Sequence, residues 1–163
     1  MDNISTLRRI LGTCKTIAVV GLSPQWHRPS FFAAKYMQSH GYRIVPVNPV
    51  ATEILGERSY PSVTAAAKAL AEQGHKIDMV DCFRKSDDIP PLADEAIGIG
   101  ARCLWMQIGV VNEAAAGKAI AAGLDVVMNR CVKIEHARLF GGLNWAGVNT
   151  KVISARRPQQ LPY

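Results

Sequence analysis

Apolar residues recur along this chain in two alternating periods, and the alternation predicts the architecture. Thr16-Ile17-Ala18-Val19-Val20, Arg43 to Val47, Ile77 to Phe83, Cys103 to Ile108 and Leu124 to Met128 are short, near-continuous apolar runs of strand length. Between them apolar positions return every three or four residues. Ala33, Tyr36, Met37 and His40 share one face of a helix starting near Ser30, which Gly41 can stop. Val63, Ala66, Ala67, Leu70 and Ala71 mark a second helix, capped by Ser62. Ile89, Leu92, Ala93, Ala96 and Ile97 mark a third, ending at Gly98-Ile99-Gly100, and 112–122 reads as a fourth. A short extended piece is expected around Arg58 to Tyr60, and an opening helix over Ile4 to Leu11.

Strand and helix thus alternate with short connections. Strands that are apolar on both sides belong to a parallel sheet covered on both faces. Right-handed crossovers then lead to a single-domain α/β fold, a doubly wound, mainly parallel Rossmann-like sheet. Residues 1–15 are expected to add a helix packed on this domain, 16–140 to form it, and 141–163 to make a Gly- and Pro-containing tail that wraps the domain or meets a second subunit.

In such a sheet a ligand sits beyond the C-terminal strand ends. The first strand runs into Gly21-Leu22-Ser23-Pro24 and then His27-Arg28-Pro29-Ser30, just before a helix begins. Free backbone N–H groups and the positive helix end make that junction an anion site. The turn nevertheless departs from G-x-G-x-x-G. The second strand ends in Val47-Asn48-Pro49, where a dinucleotide site has an Asp or Glu for the ribose. The missing carboxylate counts against NAD and tolerates a ribose phosphate, as in coenzyme A. The other strand ends bring Asp81, Phe83, Arg84 and Lys85, then Met106, Gln107 and Gly109, then Asn129, Arg130, Cys131 and Lys133. This rim is rich in donors and cations, which match phosphate oxygens.

Composition adds limits. The formal net charge is +6, but the basic residues are scattered, with no aromatic-interleaved stripe for nucleic acid. No run is long enough to span a membrane and no secretory signal opens the chain, so the expected place is the cytoplasm. The four cysteines lie far apart, without the spacing of a zinc site or a disulfide framework. Cys82 and Cys103 are expected to face the core. Cys131 is expected to be a packed, inert cysteine, the alternative being a thiolate stabilised by Arg130 and Lys133 that forms a mixed disulfide with the pantetheine thiol. Asp81 is expected to orient Arg84, His136 to bond backbone, and His27 to touch the ligand.

Taken in order, these motifs resemble the stand-alone CoA-binding domain proteins. The resemblance rests on Val20-Gly21-Leu22-Ser23-Pro24, Arg28-Pro29-Ser30, Val47-Asn48-Pro49 and Leu55-Gly56-Glu57. It continues through Val80-Asp81-Cys82-Phe83-Arg84, Trp105 to Asn112, and Asn129 to His136, so it covers about residues 16–139. Those proteins are similar to the N-terminal domain of the succinyl-CoA synthetase α subunit. The resemblance implies that the turn of Gly21, Leu22, Ser23 and Pro24, with His27, Arg28 and Ser30, approaches the CoA diphosphate. Val47, Asn48 and Pro49 would flank the adenosine, and Phe83 and Arg84 would border adenine and phosphates. Met106, Gln107 and Gly109 would follow the diphosphate–pantetheine path, and Asn129-Arg130-Cys131 would match a Pro-Asn-Cys-like turn. Where the synthetases carry a phosphate-binding Lys, this chain has Ala51, and Arg28 or Arg43 would compensate.

The synthetases' phosphorylated histidine lies in a second domain, which the resemblance does not extend to here. The expectation is a binder of coenzyme A or an acyl-CoA without catalysis of its own, acting alone, as a homodimer or docked on a partner enzyme. The alternative is a small NAD(P)-dependent oxidoreductase with a degenerate glycine turn.

Overall fold

A computed structural model describes residues 3–141; the expected tail over 142–163 lies outside the described residues. The opening helix, α1 (Ile4–Thr13), is capped by Asn3, whose side chain accepts from the Thr6 amide. β1 (Thr16–Val20) leads to α2 (Pro29–Ser39) and β2 (Arg43–Val47). A two-stranded hairpin follows, β3 (Glu53–Ile54) and β4 (Glu57–Arg58), where the sequence suggested only an extended piece. Then come α3 (Val63–Glu72), β5 (Met79–Cys82), a 3-10 turn at Ser86–Asp88, α4 (Ile89–Gly98), β6 (Cys103–Met106), α5 (Glu113–Ala121), β7 (Asp125–Val127) and α6 (Val132–Phe140).

Five strands form one parallel sheet in the order β2-β1-β5-β6-β7. The chain runs outward from β1 to β2, returns across to β5, and then proceeds to β7. The direction therefore reverses between β1 and β5, and that is the topological switch point. Alternation along the strands divides the core into two layers. Ala18, Val20, Val45, Val47, Val80, Cys82, Leu104 and Met106 pack under α3, α4 and α5. Ile17, Val19, Ile44, Met79, Cys103, Trp105 and Val127 pack under α1, α2 and α6. The sheet is thus covered on both faces, as its apolar strands require.

The helix α6 has no counterpart in the sequence-based expectation. Its buried stripe is Val132, Glu135, His136 and Leu139, half of it polar, so the apolar period that marks the other helices is broken here. Burial of these polar groups is compensated locally. Glu135, 3% exposed, accepts from both Arg130 and Arg138. His136 bonds the Tyr36 hydroxyl through Nδ1 over 3.0 Å rather than bonding backbone.

Candidate functional site

The loops that follow the neighbouring strands β1 and β5 border an open cleft of about 990 Å³. Its walls are Gly21, Ser23, Arg28, Pro29 and Ser30 from the β1–α2 loop, and Phe83, Arg84, Lys85 and Asp88 from the segment after β5. Gln107, Ile108 and Val110 after β6, and Cys131 at the start of α6, complete it.

The first wall is built by close backbone approach. Gly21 has φ +79, and a Cβ there would be driven into the carbonyl oxygen of Phe83. Only glycine lets the two loops meet at the switch point. The Gly21 amide donates to Val47 O over 3.1 Å and Phe83 N to Val20 O over 2.9 Å, extending the sheet pairing to the cleft edge. Ser30, buried in the first turn of α2, accepts from the Ser23 amide over 3.0 Å and folds the loop onto the helix.

The helix starts then differ in a telling way. Side chains of Asn3, Ser62 and Asn112 cap α1, α3 and α5. No side chain caps α2, α4 or α6, and Arg28, Asp88 and Cys131, the residues at those three starts, all line the cleft. At α4 the Ile89 amide donates to Ser86 O and Pro90 and Pro91 carry no N–H, so first-turn N–H groups for an anion are left to the α2 and α6 starts, with their positive helix ends. Arg28, Arg84 and Lys85 add side-chain charge, against Asp88 as the one acid among the lining residues.

Of the residues expected at the site, Gly21, Ser23, Arg28, Ser30, Phe83, Arg84, Gln107 and Cys131 are brought together in the cleft. Leu22, Val47 and Met106 are buried in the core and offer a ligand no side chain. Asn48 is a structural tie. Its Nδ2 donates to Leu22 O over 3.0 Å, and its Oδ1 accepts from Val50 N (2.8 Å) and Ala51 N (3.1 Å). Pro49 is exposed beside it, and Pro24 and His27 are exposed on the β1–α2 loop, where the His27 ring meets Trp26 edge-on. Asn129, at φ +58, accepts from the Gly109 amide over 2.8 Å and so clamps the β6–α5 loop to the end of β7. Arg130 bonds Glu135 over 3.3 Å, while its carbonyl accepts from the Trp105 indole over 2.8 Å.

Several expected roles change. Arg43 opens β2, at the end of the sheet away from the cleft, and reaches Gln73 over 3.4 Å; it cannot stand in for a phosphate ligand, which leaves Arg28. Asp81 does not orient Arg84. It is 1% exposed and accepts from Gln107 Nε2 over 2.5 Å, and burial pushes its carboxyl up to about 7 against the opposing pull of that bond. Burial likewise pushes the Cys131 thiol up, more than the Ile134 and Lys133 amides pull it down. Lys133 lies over the rings of Phe32 and Tyr36. Cys82 and Cys103 face the core as expected, and burial raises both thiols.

Lys85 lines the cleft as its place on the expected rim implies, while Pro29, Asp88, Ile108 and Val110 line it without having been singled out as site residues. For Asp88 the available signal was Ser86-Asp87-Asp88 before Ile89-Pro90-Pro91, a helix-start composition placed directly after a strand. Among the described residues no group of three or more His, Cys, Asp or Glu gathers as a metal site, and no helix is long and apolar enough to cross a membrane.

Comparison with known proteins bears on the family and the fold. The family model described as a CoA binding domain matches residues 15–137. The Bacillus subtilis (strain 168) protein YneT is 40% identical over 131 residues, covering 80% of this chain and 92% of that one. A solved structure of a hypothetical protein from Pyrococcus horikoshii OT3 superposes with a TM-score of 0.78 at 39% identity, covering 86% of this chain and 94% of that one. A Thermus thermophilus structure gives 0.75 at 31% identity, over 85% and 100% of the two chains. A dinucleotide-forming acetyl-coenzyme A synthetase from Ca. Korarchaeum cryptofilum gives 0.60 at 22% identity, over 76% of this chain and 28% of that one, a likeness of fold alone.

Proposed function

This chain belongs to the CoA-binding domain family, and from that premise we propose that its cleft binds coenzyme A or an acyl-CoA without catalysing a reaction of its own. The observation that carries the reading is the convergence of the uncapped α2 and α6 starts with Arg28, Arg84 and Lys85 at the switch point. A diphosphate is the ligand group such an arrangement suits, since it offers several oxygens to backbone N–H groups and guanidinium forks at once. Ile108, Val110 and Phe83 give the same cleft an apolar side, which suits a base or a pantetheine arm. In the place where NAD binding asks for a carboxylate, Asn48 spends its side chain on Leu22, Val50 and Ala51.

The absence of catalysis is supported by the state of the cleft's thiol. Cys131 is pushed toward its neutral form by burial, which makes it a poor nucleophile. The module then senses, buffers or delivers its ligand inside the cell, alone, as a homodimer or docked on an enzyme.

Thermal unfolding with CoA, acetyl-CoA, dephospho-CoA, NAD and NADP side by side tests the reading. A ligand at a hundred times its dissociation constant stabilises by about 2.7 kcal/mol. A rise in Tm with CoA but not NAD is expected, and a smaller rise with dephospho-CoA would assign a contact to the 3′-phosphate. A rise with NAD or NADP alone favours the oxidoreductase. Release of free thiol from acetyl-CoA above the buffer rate would overturn the non-catalytic part.

A further inference from the structure

Beneath the cleft lies a buried pair that phosphate binding does not require. Asp81 on β5 is 1% exposed, Gln107 just after β6 is 3% exposed, and only Gln107 of the two lines the cleft. The Gln107 Nε2 donates to Asp81 Oδ1 over 2.5 Å. A carboxamide has a donor end and an acceptor end, whereas an ionised carboxylate only accepts. Facing ionised Asp81, the amide must turn its NH2 inward and its oxygen away. A protonated Asp81 can donate its own O–H, so the amide is free to rotate and offer NH2 to the cleft.

We propose that Asp81 is a positioning residue that selects which end of the Gln107 carboxamide the cleft floor presents, so that proton binding at Asp81 and anion binding in the cleft are linked. The inference rests on the cleft being the CoA site. In the protonated state the floor supplies a donor and loses the negative charge beneath it, and both changes favour phosphate. By linkage, an anion entering the cleft draws a proton from the buffer onto the Asp81 carboxylate; no other bond forms or breaks.

The surroundings suit this role. With its carboxyl raised to about 7 by burial, Asp81 populates both forms at neutral pH. Its own strand contributes Cys82, β6 contributes Cys103, and the start of α6 contributes Cys131, all thiols whose ionisation burial and Asp81 oppose. The strand β1 on its other side carries no titratable side chain. The α2 start and the segment after β5 bring Arg28, Arg84, Lys85 and Asp88 to the cleft, and α6 adds Glu135, held by Arg130 and Arg138.

Two measurements decide. In the ligand-free protein, the Gln107 side-chain NH2 resonances should titrate between pH 5.5 and 8.5 with a midpoint of about 7, and should be flat in Asp81→Asn. Flat resonances in the unaltered chain overturn the proposal whatever the ligand. Calorimetric titration with CoA, and in parallel with inorganic pyrophosphate, then gives the ratio of association constants between the unaltered chain and Asp81→Asn, which cancels titration of the probe's own phosphates. The ratio should lie near one at pH 6 and fall about tenfold by pH 8.5, within the usual range of coupling between two sites. A ratio independent of pH overturns the linkage. If pyrophosphate follows this course and CoA does not bind, the CoA reading fails while the linkage stands; binding of neither probe overturns both.

Discussion

Arg84 enters the cleft with little to hold it elsewhere. Its ion pair to Asp88, at 3.9 Å, joins two half-exposed side chains, and such pairs are worth little. Arg28 is similarly loose, reaching the Gln25 side chain over 3.4 Å. Neither guanidinium must break a strong bond before meeting a phosphate. Arg28→Ala and Arg84→Ala should therefore each weaken CoA binding by about 1.5–3 kcal/mol, the range for hydrogen bonds to charged groups. Calorimetry checks this, and affinity untouched by both substitutions would remove the cleft from consideration. Gly21 acts through the backbone instead. Its positive φ and the Phe83 carbonyl facing it mean that Gly21→Ala should destabilise the fold by about 1–3 kcal/mol and push the two cleft walls apart. Urea unfolding reads the first effect and CoA titration the second.

At the level of elements, the loops at the strand ends are fastened to one another by asparagines. Asn48 ties β2 to the β1–α2 turn, and Asn129 ties β7 to the β6–α5 loop. Asn129 does so from a left-handed backbone, which Asn tolerates better than most residues. Asn129→Gly removes the clamp but keeps the conformation, whereas Asn129→Ala loses both. The alanine variant should be less stable than the glycine variant by about 1 kcal/mol, measured by chemical denaturation; equal stabilities would mean that the backbone there relaxes at no cost. These asparagines also mark where sequence reading stops. Gly21, Arg28 and Arg84 were legible because strand, turn and helix start follow one another locally, and the parallel sheet was legible because its strands are apolar on both faces. Asn48 was equally visible as a residue, but whether its amide faces ligand or backbone depends on Leu22, brought near it only by the pairing of β1 with β2. The helix α6 escaped because Glu135 and His136 occupy its buried stripe, and their partners Arg130 and Tyr36 supply in three dimensions what the periodicity lacks. With α6 unseen, the third helix start at the cleft was unseen too.

Across the molecule, two buried groups on the same face of the sheet respond to acid in opposite senses. His136 packs between the Tyr36, Tyr42, His40 and Phe140 rings where α6 meets α2. Burial first, then the charges of His40 and Lys15, hold its imidazole below the usual histidine range. The unfolded chain then takes up a proton that the folded chain refuses, so stability is full above about pH 6.5 and falls as pH drops through that value. Asp81 behaves in the reverse way. Its folded carboxyl titrates at about 7, well above the unfolded value, so the folded chain holds a proton that the unfolded chain releases. Its contribution to stability therefore declines as pH rises from about 4 to 7 and is constant beyond. Below about pH 6.5 the two slopes oppose and partly cancel. Removing either group should expose the other. His136→Phe, which keeps a ring in the aromatic cluster, should lose stability as pH rises through that window. Asp81→Asn, which can still accept from Gln107, should gain it. Urea unfolding of the three proteins at half-unit steps of pH gives the slopes directly, free of any constant offset from repacking. Slopes of opposite sign in the two variants would establish that both groups are buried in the forms described, and that the acid limit of the fold is set where α6 closes over α2. Parallel slopes in all three proteins would mean that neither group titrates differently in the folded and unfolded chain.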